Sequence, residues 1–207
     1  LPVLAPWLPR FAHQSLPGAA RANARVLAAL LADAAPRWQA LASEVGGGDL
    51  LQDRGCLYWY QSDAAFRASK TDLAFRRDLG VKVELLSAAE LHQLEPSLPV
   101  AEGGAAYFPN ARFMSDPGAM VARLAARVAQ GGAALRQSTI TGLARDRQGV
   151  RLTGDGFGLT ARRVVLATGA HGKALARQAG DAVPLETERG YHLEWDMDRP
   201  RLTRPVC

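Results

Sequence analysis

Apolar residues recur at helical spacing between residues 18 and 45, where Val26, Leu27, Leu30, Leu31, Ala34, Trp38, Leu41 and Val45 form a stripe. The spacing predicts a helix, with Pro36 kinking it or opening a second helix in its first turn, and with Gly46, Gly47 and Gly48 ending it. Residues 55–60 (GCLYWY) have strand composition. Residues 62–80 read as a helix capped by Ser62 or Asp63 and stopped at Gly80, and residues 81–86 alternate as a strand. Ser87 with Glu90 three residues on makes a capping box, opening a short helix through Leu94 that Pro96 closes.

From residue 116 the pattern changes. Asp116 is a helix cap, Pro117 occupies the first helical position, Met120, Val121, Leu124 and Val128 make an apolar stripe, and Gly131 is the stop. Three strands are expected next, in residues 138–146, 149–154 and 157–169, parted by turns at Asp146 to Gly149 and at Gly154-Asp155-Gly156. The last of them ends in Val164, Val165, Leu166 and Ala167, an apolar run without alternation, which predicts a parallel strand covered on both faces. No internal repeat or low-complexity linker interrupts the chain.

Composition narrows the class. A chain of 207 residues, 48% of them hydrophobic, buries roughly 70% of its unfolded surface, enough for one or two ordinary domains. There is no run of about 18 apolar residues, and prolines break the start (LPVLAPWLPRF) where a leader needs an unbroken apolar stretch, so a cytoplasmic location is expected. Cys56 and Cys207 have neither metal-ligand spacing nor the pattern of a disulfide framework. The net charge is +5, but the arginines are scattered and interleaved with acids, which argues against a nucleic-acid partner and leaves open weak attraction to an anionic membrane. The chain opens on Leu1 rather than methionine and ends in RLTRPVC, which reads as the start of a strand; both suggest a piece of something longer.

The chemistry centres on residues 162–176, RRVVLATGAHGKALA. An apolar strand running into Thr168-Gly169 can deliver its carboxyl end to a nucleotide: Gly169 admits close backbone approach and Thr168 offers a hydroxyl. A strand simply leaving its sheet at a turn explains the same residues. A glycine-rich phosphate loop between strand and helix, followed by a ribose-binding acid about 20 residues later, is not found. GGGDLL follows a helix and leads into none, and GAHGKALA has the wrong glycine spacing.

The series SDPGAMVARLAARVAQGGA, TGLARDRQGVRLT, ARRVVLATGAHG and VPLETERGYHLEW, preceded by RGCLYWY and LHQLEPSL, resembles flavin-dependent amine oxidoreductases of the D-amino-acid oxidase and dehydrogenase superfamily, with the bacterial D-amino-acid dehydrogenase-like branch the nearest in pattern. The likeness covers almost the whole chain, and it rests on the order of the motifs more than on any one of them. It implies a mixed α/β (α+β) fold: part of a Rossmann-like FAD-binding domain in residues 113–182, and a substrate-binding domain with a mixed or antiparallel sheet, made of residues 1–112 and returning strands in 183–207. It implies FAD as cofactor in the parent enzyme, held here at Ala167, Thr168, Gly169 and Ile140. The phosphate loop lies outside this piece, so the piece alone is expected neither to hold FAD nor to turn over. The implied partner is a small-molecule amine or amino acid, with peripheral contact to the inner membrane or a quinone acceptor left open.

Tyr191 is the expected catalytic residue, orienting substrate by its phenol, with Arg189 and Tyr58 beside it as substrate-binding residues. Each also has a plainer reading. Arg189 can pair with Glu188, Tyr58 with Trp59 and Tyr60 can be sheet packing, and His192, Tyr191's neighbour on an expected strand, is placed in the core. His171 reads as an exposed turn histidine, and His13 and His92 have no evident partners. No acid–base pair is required, because the flavin carries the chemistry in this family. A glycine- or sarcosine-type oxidase and a binding module that has lost its flavin are the alternatives.

Overall fold

The computed structural model describes residues 5, 7–100, 102–183, 187 and 190–207. They form two compact units, Leu1–Gly131 with Met197–Cys207, and Gly132–Asp196.

The first unit begins with three helices, α1 (Leu8–Ser15), α2 (Pro17–Leu31) and α3 (Ala34–Glu44). The predicted long helix is thus two, with Pro36 in the first turn of the second, where its missing N–H has no partner to lose. The apolar stripe on α2 is not core. Arg21 and Arg25, one turn apart, lie over the Phe75 ring at 5.7 and 5.8 Å, which turns the opposite face outward and leaves Val26 and Leu30 70% and 78% exposed. Only Ala42 of α3 is fully buried, packed with Leu50 and with Met120 of α6 (Pro117–Gln130), whose own Val121 and Val128 remain exposed. Two short strands, β1 (Leu51–Gln52) and β5 (Phe113–Met114), pair antiparallel beside this contact.

The centre of the unit is an antiparallel sheet of β2 (Cys56–Trp59), β4 (Ala105–Phe108) and β3 (Glu84–Leu86), in the order β2-β4-β3. Alternation on β4 divides two cores. Ala106 and Phe108 meet Leu73 of α4 (Asp63–Asp78) and Val83 on one face, while Ala105 meets Leu57 and Leu91 of α5 (Ala88–Leu94) on the other. The central strand β4 was not foreseen: Ala-Ala-Tyr-Phe is too short to show alternation, although Gly103-Gly104 and Pro109-Asn110 punctuate its ends. Gly104 is required there, since a Cβ would sit 2.1 Å from the Leu86 carbonyl oxygen. Residues 205–207 extend the sheet alongside β2, through the parallel bridge Leu57–Val206 and hydrogen bonds from Leu57 N to Pro205 O (3.0 Å) and from Cys207 N to Leu57 O (2.9 Å). Where RLTRPVC reads as the start of a strand, the structure has this single bridge residue, Val206.

The helix caps form as expected. The Ser62 hydroxyl accepts from Ala65 N at 3.2 Å, the Ser87–Glu90 capping box is complete, and Asp116 accepts from Ala119 N at 2.8 Å. Ser62→Ala should cost about 1 kcal/mol, lowering the melting temperature by roughly 2–4 °C in a circular-dichroism melt.

The second unit is an antiparallel meander of β6 (Ile140–Asp146), β7 (Gly149–Gly154) and β8 (Phe157–Ala161), closed by a 3-10 turn, Gly169–Gly172, and α7 (Lys173–Gln178). The Asp146 side chain accepts from Gln148 N and Gly149 N and so shapes the first turn. Two strand expectations fail in this unit. The third strand stops at Ala161, so Val164–Ala167 belongs to no strand, Val165 is 87% exposed and Ala167 is exposed. Residues 190–196 form no strand either, and His192 is exposed with a ring nitrogen 3.0 Å from Glu194 Oε1 rather than in a core. An apolar run becomes a parallel strand only beside strands that bond it on both edges, and among the described residues nothing flanks this one.

Candidate functional site

The candidate nucleotide contact is a turn in the second unit. Thr168 precedes the 3-10 turn, Gly169 stands at φ +56°, and no atom lies within 4 Å of where a Cβ at Gly169 would be. The positive φ suits glycine, and the open space admits another molecule's atoms against bare backbone. Further in, Gly172 is buried, and a Cβ there would lie 2.4 Å from Thr168 Oγ1, so the threonine side chain folds back over the turn. No side chain caps the 3-10 turn or α7. The turn is fixed to the meander through α7: Gln178 accepts from Leu143 N at 2.7 Å and donates to the Thr141 carbonyl at 3.1 Å, satisfying the backbone where β6 shifts register between Ile140 and Gly142.

The expected cofactor contacts are placed as follows. Ala167, Thr168 and Gly169 form one exposed surface turn, and Ile140, half-buried, opens β6 opposite Gly154 in the same unit. Tyr191 is 86% exposed and belongs to no helix or strand, whereas Arg189 lies outside the described residues. Tyr58 belongs to the first unit, half-buried on β2, with its ring 4.9 Å from Phe108 and the Arg76 guanidinium 5.5 Å from its centroid. Its packing role is therefore evident.

The other helix starts that follow a strand are closed to anions. Asp63 joins Ser62 at the start of α4, Glu90 folds back onto the Ser87 backbone and hydroxyl at α5, and Asp116 occupies the amides of α6. The Ser87 backbone N–H, and then its hydroxyl, hold the Glu90 carboxyl below its ordinary value, so it is ionised at neutral pH. A phosphate would meet negative charge at all three helix starts. The 167–172 turn, by contrast, carries no side-chain cap and presents open backbone at Gly169.

Sequence reasoning missed the most buried polar group. Glu95 is 1% exposed, and it accepts from Arg204 Nε at 2.8 Å, from Thr203 N at 3.2 Å and from the Thr203 hydroxyl. Arg204 continues to the Tyr107 hydroxyl (3.2 Å) and the Arg54 carbonyl (3.0 Å), its guanidinium lying 5.4 Å from the Tyr107 ring centroid. Burial pushes the Glu95 carboxyl up, but the bonds from Thr203 and Arg204 outweigh it and leave the carboxyl below its ordinary value. The only cue in LHQLEPSL was an acid inside an apolar stretch, and its partners lie more than a hundred residues away.

The family model for FAD-dependent oxidoreductases, DAO, matches residues 4–206. A D-amino-acid oxidase of Bradyrhizobium diazoefficiens is 33% identical over 197 residues, covering 93% of this chain and 46% of that protein. The crystal structure of glycine oxidase from Geobacillus kaustophilus aligns with a TM-score of 0.61 at 27% identity, over 81% of this chain and 44% of its own. The amino acid oxidase NikD, essential for nikkomycin biosynthesis, aligns at 0.56 and 26%, over 69% and 37%. The chain therefore spans less than half the length of these relatives.

Proposed function

The chain belongs to the DAO family of FAD-dependent oxidoreductases, and from that premise we propose that it is part of an enzyme of its relatives' length that oxidises a D-amino acid, or a related amine, to the imine, which water hydrolyses to the 2-oxo acid. The observation that carries this reading is the Ala167–Gly169 turn, whose open left-handed glycine lies inside the stretch shared with the family. Bound FAD supplies the two-electron oxidant. The roles left to this chain are binding and orientation. The backbone of Ala167 to Gly169, with Ile140, meets the adenosine side of the cofactor. Tyr191 hydrogen-bonds the substrate and Arg189 takes its carboxylate. In this reading residues 113–182 serve the cofactor domain, while 1–112 and 183–207 serve the substrate domain.

The test is an enzyme of full family length that contains these residues, mixed anaerobically with candidate substrates while flavin absorbance is followed. D-amino acids should bleach it. Bleaching by glycine or sarcosine alone would favour that oxidase type, and a protein of this length without flavin would favour a binding module. The acceptor that restores colour, oxygen or a quinone, decides whether the enzyme works free in the cytoplasm or against the inner membrane; among the described residues no helix is long and apolar enough to cross one. In the same enzyme Tyr191→Phe should lower kcat/KM about three- to tenfold, the worth of one hydrogen bond. Its melting temperature should move by no more than about a degree or two, because the side chain is almost fully exposed. Unchanged kinetics would remove Tyr191 from the site.

A further inference from the structure

The start of β6 carries a fault that a side chain repairs. Ile140 pairs with Gly154 and Gly142 with Thr153, so Thr141 is the extra residue of a bulge, with no partner of its own in the register of β7. The Gln178 amide donates to the Thr141 carbonyl at 3.1 Å, and its oxygen accepts from Leu143 N at 2.7 Å. A carbonyl and the N–H two residues on are the pair that a parallel neighbouring strand would bond, so one side-chain amide stands in for a strand here. Further contacts hold the helix in place. α7 packs on β6, Leu143, Leu175 and Ala176 are buried, and Arg145 of β6 donates to the Ala179 carbonyl at 3.4 Å. α7 begins where the Gly169–Gly172 turn ends, and Gln178 is its last residue, so the amide sets where the turn stands relative to Ile140 beside the bulge.

We propose that Gln178 is a positioning residue for the cofactor: by bridging Thr141 and Leu143 it fixes the Ala167–Gly169 backbone and Ile140 at the separation that FAD binding requires. The inference rests on the reading that those residues meet the adenosine side of FAD, and Gln178 acts on them through α7. Both halves of the amide are needed. One oxygen must accept and one hydrogen must be donated, which among side chains of this length glutamine and a protonated glutamate can do. An ionised glutamate still accepts from Leu143 N, but it sets an oxygen against the Thr141 carbonyl with no hydrogen between them. Alanine leaves both backbone groups without the side chain. Once the clamp is lost, ordering the turn falls to the incoming cofactor, and binding weakens by that amount.

The test uses an enzyme of family length containing these residues, stripped of flavin and titrated with FAD between about pH 7.5 and about pH 5, each variant's Kd being divided by that of the native enzyme at the same pH. Gln178→Ala should raise Kd about three- to tenfold throughout, the worth of one or two hydrogen bonds. Gln178→Glu should do the same at the alkaline end, and its Kd should return towards the native value in acid, as the introduced carboxyl begins to protonate and donate to the Thr141 carbonyl. A merely structural loss would not reverse with acid. In the 207-residue chain, without flavin, Gln178→Ala should speed hydrogen exchange at the Leu143 amide. Gly169→Val, made alongside, tests the reading beneath: if it leaves Kd unchanged, the turn is no cofactor contact and the inference falls with it. If Gly169→Val weakens binding while Gln178→Ala does not, or Gln178→Glu shows no recovery in acid, or Leu143 exchange is unaltered, the positioning role alone is overturned.

Discussion

Glu95→Gln should unfold the first unit at a markedly lower urea concentration than the native chain, with a loss of about 3 kcal/mol at neutral pH. Glu95 and Arg204 have side chains only 1% and 13% exposed, and removing one charge of so enclosed a pair strands the other away from water. The amide replacement cannot accept from Thr203 N, the Thr203 hydroxyl and Arg204 together while also placing its own N–H2. The effect should be specific in pH. The folded carboxyl lies below its ordinary value of 4.5, so its contribution is complete above that value and fades as pH falls through the folded one. Urea midpoints of native chain and variant measured from pH 7 to pH 3 should therefore converge on the acid side. A gap that stays constant with pH would show that the carboxylate's charge is not what holds residues 203–207 in place.

That cluster also shows where the sequence is legible. Each correctly read element carries its instructions within a few residues: Ser62 beside the start of α4, Ser87 and Glu90 three apart, Asp116-Pro117 before α6, and Asp146 bonding the amides of its own turn. Glu95, Thr203 and Arg204 carry nothing local that pairs them. The α2 stripe had the correct period but pointed the wrong way, since the arginines over Phe75 decide which face turns inward. Val164–Ala167 had the composition of a buried strand, and composition does not supply neighbours. At the candidate site, Thr168-Gly169 was readable because a glycine after an apolar run marks a backbone turn. The three acid-closed helix starts, by contrast, acquire their meaning only once the caps are seen to form.

Purified alone, the 207-residue chain should be colourless, and FAD titrated into it should show no saturable binding at micromolar concentrations. The tight part of a dinucleotide site is its pyrophosphate cradle: free backbone N–H groups at a helix amino terminus, with the dipole of several turns behind them. The strand-to-helix turns of the first unit cannot serve, because Asp63, Glu90 and Asp116 place carboxylates at those termini. The 167–172 turn is uncapped, but α7 behind it runs only from Lys173 to Gln178, so its dipole is short. What remains is shape at Gly169 and one or two hydrogen bonds, each worth about 1 kcal/mol net. Immobilising a ligand costs an estimated 4 kcal/mol or more before any contact is counted, so the sum falls short of the roughly 8 kcal/mol that micromolar affinity requires. Supplying a glycine-rich strand–turn–helix from a relative in the same polypeptide should restore yellow colour, and Gly169→Val should then weaken FAD retention, since a β-branched side chain strains φ +56° and fills the approach. One equivalent of flavin copurifying with the chain by itself would place the cradle within these residues and overturn this account of where the affinity lies.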